Sequence, residues 1–133
     1  MRKHLTQQEK EHIRQVLRER LMQREEVRFA YLFGSFTLEG AFEDIDVAVY
    51  VTPESLQQSD PLALSFQIAD FLEFAVGLPV DVVLLNTAPL ALQFEATRAE
   101  PLIARDPEER ADFVERVTLR WWDTEGMRYA AMM

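Results

Sequence analysis

Apolar residues return along this chain with two different periods, and the alternation between them outlines the fold. From Thr6 to about Glu25, Ile13, Val16, Leu17 and Leu21 recur at helical spacing, and Thr6-Gln7-Gln8-Glu9 has the form of a capping box. The run Val27 to Phe33 is aromatic and branched and stops at Gly34-Ser35, which predicts a buried strand ending in a tight turn. Asp44 to Val51 alternates strictly: Ile45, Val47, Val49 and Val51 share one face, and Asp44, Asp46, Ala48 and Tyr50 the other. Asp60-Pro61 opens a helix whose apolar side is Leu64, Ile68, Phe71, Leu72 and Ala75, closed by Gly77 and Pro79. Val80 to Leu85 is almost continuously apolar, as a central strand is, and only Asp81 interrupts it. A helix from Thr87-Ala88-Pro89 to about Arg98, an edge strand at Leu102–Arg105 and a helix from Asp106-Pro107 through Trp121 complete the order α-β-β-α-β-α-β-α. No linker, repeat or low-complexity segment divides the 133 residues. The expectation is one domain spanning 1–133, of α/β (α+β) class, with helices packed on a small mixed sheet.

Composition narrows the chemistry. With no cysteine, and with His4 and His12 as the only histidines, thiolate and histidine metal cages are excluded, so a bound metal would have to take oxygen ligands. A net charge of -9 argues against direct nucleic-acid binding, which rests on lysines and arginines neutralising phosphates. The chain shows neither an apolar run of membrane-spanning length nor a signal-peptide core, so a cytoplasmic location is expected. Arg14, Arg18, Arg20 and Arg24 interleave with glutamates and read as a solvated helix face.

Three features point to one site. Asp44 and Asp46, two residues apart on a strand, place their Cα atoms about 6 to 7 Å apart on one face. Asp81 would need a cation or a hydrogen-bond donor if buried in its apolar run. Were the strands of Asp46 and Asp81 neighbours, the three carboxylates would make the all-oxygen site that magnesium prefers. Two ions held there suit phosphoryl or nucleotidyl transfer. Gly34 allows close approach of backbone to phosphate, and Ser35 offers an amide and a hydroxyl to its oxygens.

Gly34-Ser35, Asp44-Ile45-Asp46 and Asp81 within Pro79–Asn86 together resemble the polymerase-β-type nucleotidyltransferase superfamily, in its minimal nucleotidyltransferase (MNT) branch. Residues 85–117 are similar to the downstream half of such proteins, so the resemblance spans nearly the whole chain. The resemblance implies an antitoxin that uses ATP to place AMP on a tyrosine of a partner, a HEPN-domain ribonuclease toxin. It further implies that Gly34 and Ser35 bind the nucleotide and that Asp44, Asp46 and Asp81 hold magnesium and carry the catalysis. The chain is not itself the toxin, since neither histidine has an arginine at the HEPN spacing before it. It departs from the family where Phe36 to Glu43 form a shortened connection with no counterpart of the family's Ala-Arg-Gly. Three readings follow, in this order: AMP transfer to a toxin, an inactive antitoxin acting by binding alone, and nucleotidyl transfer to a small hydroxylated molecule.

Five aromatic and amide positions carry lesser expectations. Trp121 is expected in the core, and Trp122 at a partner surface or an edge. Tyr31 and Tyr50 are expected to pack in the sheet, and Asn86 to cap a helix. Met127, Tyr129, Met132 and Met133 form an apolar tail.

Overall fold

The structure, a computed structural model, describes residues 2–126, so the apolar tail lies outside the described residues. Helix α1 (Gln7–Met22) begins at the predicted capping box. The Glu9 amide donates to Thr6 Oγ1 at 3.1 Å and the Thr6 amide to Glu9 Oε1 at 2.9 Å. Strands β1 (Val27–Phe33) and β2 (Ile45–Val51) follow, joined through a single 3-10 turn at Ser35–Thr37. A short helix, α2 (Pro53–Gln58), comes next, and its pattern was too brief to predict. Asp60 caps α3 (Pro61–Val76) and Gly77 closes it in the left-handed conformation at φ 73°. Then come β3 (Val80–Leu84), α4 (Leu90–Thr97), β4 (Glu100–Ala104) and α5 (Pro107–Trp121).

The four strands form one sheet in the order β3-β2-β1-β4. β1 lies antiparallel to β2 and to β4, while β2 and β3 run parallel, so the sheet is mixed as expected. A parallel pair cannot be closed by a hairpin, and α3 supplies the crossover. Ile13, Leu17 and Leu21 of α1 and Leu64, Ile68 and Leu72 of α3 pack on one face with Ile45, Val47, Val49 and Val51. On the other face Ala96 of α4 and Phe113 and Val117 of α5 meet Phe29, Tyr31 and Ala48. Tyr50 stacks on Phe29 with centroids 4.7 Å apart, so both strand tyrosines pack in the sheet. Helices thus cover both faces, which explains why the second face of β2 is apolar from Ala48 onward.

The structure corrects three readings. Arg14 is not solvated: its side chain is 12% exposed and its Nε donates to Glu100 of β4 at 2.7 Å. Asn86 caps no helix. Its amide pairs with both backbone groups of Val51, the last residue of β2, at 2.9 Å, continuing the β2–β3 ladder past the end of β3. Trp121 is only half-buried, stacked on Phe94 at 4.6 Å, and Trp122 is 58% exposed. Among the described residues no helix is long and apolar enough to cross a membrane.

Candidate active site

β1 has to leave the sheet abruptly, and Gly34 makes the exit with φ 81° and ψ -167°, a region open mainly to glycine. The 3-10 turn then binds itself: the Thr37 and Leu38 amides donate to Gly34 O and Ser35 O, each at 3.1 Å. The Thr37 hydroxyl adds a bond to Gly34 O at 2.7 Å. Among the described residues the Ser35 and Phe36 amides at the mouth of the turn have no intramolecular acceptor. Such amides favour an anion.

Strand register puts the carboxylates beside this turn. Phe33 is the partner of Asp46 across β1 and β2, so Gly34 comes up against the Asp46 side chain. A Cβ at position 34 would collide with Asp46 Oδ2, so the glycine serves close approach as well as the turn. Asp46 is in turn the parallel partner of Asp81, which sets the two on one face about 4.8 Å apart. Asp44 stands immediately before β2 and is exposed. Asp81 is exposed too, so the penalty expected of a buried carboxylate does not arise there. Asp46 bears it instead: burial, then the charges of Asp81 and Asp44, push its carboxyl up to about 6.

The second face of the sheet is covered unevenly. The core beneath α4 and α5 draws on β1 and β2 but, among the described residues, on none of β3, and on that side Asp81 is exposed and Val83 half-buried. Asp46 and Asp81 therefore form a ledge at the sheet margin. A cleft of about 550 Å³ runs from Gly34, Ser35 and Thr37 to Arg98 at the end of α4. The guanidinium of Arg98 lies 5.6 Å over the Phe94 ring. Sequence reasoning passed over Arg98, because a cation ending a helix is commonplace. Glu43 turns away to Arg2, at 3.8 Å.

A profile described as Polymerase beta, Nucleotidyltransferase matches residues 15–109, most of the chain and all of the elements above from the second half of α1 to the start of α5. The chain belongs to the polymerase β nucleotidyltransferase family. No curated protein is significantly similar to it. Among solved structures, this nucleotidyltransferase is similar to a chain in the crystal structure of the toxin-antitoxin MntA-HepT. The identity is 22%, 96% of each chain is covered and the TM-score is 0.64. A toxin-antitoxin structure with AMP-PNP gives 22% identity over 90% of this chain and 94% of the other, with a TM-score of 0.69. A re-refined structure of the tri-AMPylated Shewanella oneidensis HEPN toxin in complex with MNT antitoxin gives 22% identity, 96% coverage of both chains and a TM-score of 0.64. At that identity the likeness establishes the fold.

Proposed function

We propose that this nucleotidyltransferase is an antitoxin that transfers AMP from ATP to a tyrosine of a HEPN-domain toxin, with Asp44, Asp46 and Asp81 as its magnesium ligands and catalytic residues. The observation that carries the reading is the register Asp46 to Asp81, with Asp44 two residues away and the Gly34 turn against Asp46. Solved relatives of the same fold, a toxin-antitoxin with AMP-PNP and an AMPylated HEPN toxin held by an MNT antitoxin, support the substrate and partner.

The residues fit magnesium by their chemistry. All donors are oxygens, and the Asp46 carboxyl, raised first by burial and then by the charges of Asp81 and Asp44, would gain from a nearby cation. Among the described residues no three acidic side chains already close around one point, so the ligands would turn inward on binding. Bound there, magnesium would neutralise phosphate charge and polarise the α-phosphorus. Gly34 and Ser35 hold the β- and γ-phosphates through amides and hydroxyl, fixing the direction in which pyrophosphate leaves. Asp81, the open carboxylate, accepts the proton from the tyrosine as its oxygen bonds to the α-phosphorus. The products are an AMP-tyrosine phosphodiester and pyrophosphate, and no residue of this chain is modified. An open ledge suits an acceptor carried on a macromolecule.

Intact mass of the HEPN partner, incubated with this protein, ATP and magnesium, tests the proposal. The expected result is a gain of AMP units that D44A and D46A each abolish. Toxin neutralised without any gain, equally by wild type and both variants, would establish an antitoxin that acts by binding alone.

A further inference from the structure

Lys10 interrupts the apolar stripe of α1, falling in line with Ile13, Leu17 and Leu21, yet it is 1% exposed. A buried ammonium ordinarily takes a carboxylate partner. Among the described residues none lies within ion-pair distance of it. Lys10 Nζ donates instead to three carbonyls of the loop after Ser35: Phe36 O at 3.2 Å, Leu38 O at 2.8 Å and Gly40 O at 3.5 Å. The rings of Phe36 and Phe42, set at 88° to one another, each stand 5.3 Å from the nitrogen. The far end of the loop is tied by a bridge between Lys3 and Phe42, with bonds of 2.7 and 3.0 Å.

Three hydrogens of an ammonium satisfy carbonyls from alternate residues of one loop, so the charge dictates the loop's path. Phe36 lies within the 3-10 turn that follows Gly34, so the bond to its carbonyl ties Lys10 to that turn directly. The loop itself, Phe36 to Glu43, carries no cation. We propose that Lys10 is a positioning residue for the nucleotide: from α1 it fixes the loop that shapes the Gly34-Ser35 turn, and it places beneath that turn the positive charge the loop lacks. This rests on the proposed phosphate-holding role of Gly34 and Ser35.

Two readouts test it: titration of Mg·AMP-PNP into the protein alone, and ATP kinetics with the HEPN partner, on wild type, K10M and K10R. K10M keeps the stem without the charge; K10R keeps the charge on a longer, planar group that has to displace the loop and its two rings to reach the same carbonyls. Because a small misplacement of a phosphate grip is costly, K10M should weaken AMP-PNP binding and raise the KM for ATP roughly tenfold, with kcat changed less than about threefold. K10R should fall between. Circular dichroism establishes that each variant is folded, and a purely structural lysine would lower the melting temperature without moving KM. A folded K10M that binds AMP-PNP within about twofold of wild type overturns the inference; if K10M does not fold, unchanged binding and KM in K10R overturn it. Wild type that binds AMP-PNP but transfers nothing refutes the proposed activity while leaving the binding test of Lys10 intact. Wild type that binds no nucleotide overturns both.

Discussion

Asp46 stands where three constraints meet: half-buried, in register with Asp81, and pressed against Gly34. Its carboxyl, held near 6 rather than near 4, binds a proton in the folded state at pH values where the unfolded chain has released it. The folded pKa is the raised one, so stability falls as pH rises from about 4 to about 6 and stays lowered above. D46N removes that charge. In metal-free buffer at pH 7.5 the variant should melt a few degrees above wild type, and the gap should close near pH 4.5, as scanning calorimetry would show. Magnesium should raise the melting point of wild type and leave D46N unmoved. Asp46, Asp81 and Gly34 stand out in the sequence because each breaks its local pattern, a charge in an apolar strand or a glycine at a strand end, and the structure brings them side by side. Lys10 does not stand out, since a lysine on a helix is ordinarily solvated, and only the tertiary packing shows that its stem continues the apolar stripe.

Arg105 shows how an element's end is secured from elsewhere in the chain. Just past β4, its Nη2 donates to Met22 O and Arg24 O, each at 2.9 Å, and to Leu21 O at 3.4 Å, while Nε reaches Val27 O at 2.6 Å. It thus gathers carbonyls at the C-terminus of α1, where the helix dipole also favours a cation. Substituting R105M keeps the stem and leaves those carbonyls without a donor. Urea unfolding should show a loss of about 2 to 3 kcal/mol with an unchanged slope. Elements with a long period or a strong cap were legible at this scale: α1, α3, α5 and all four strands follow the apolar pattern and their Thr6, Asp60 and Asp106 caps. The short α2 has too few residues for a period to emerge. Asn86 misled because its partner, Val51, lies 35 residues away, and local rules describe only nearby backbone.

Seen whole, the molecule brings Asp46 and Asp81 together at one margin of the sheet and carries a net charge of -9. Free nucleic acid should be repelled: a mobility-shift assay with structured RNA at about 100 mM salt should show no complex with this chain alone. Fold class and the order of every element but α2 and the short turns followed from the alternation of periods, and the pairing of β2 with β3 was the one step of topology on which the site depended. That step depends on α3 carrying the chain back beside β2, and it resides in no single segment. On the proposed function, an uncovered margin has a further consequence. A ledge without walls offers an incoming hydroxyl no pocket by which to be judged, so acceptor specificity would be decided by where the partner docks. Evolving toward a new partner would then redraw the surrounding surface and leave the carboxylates as they are.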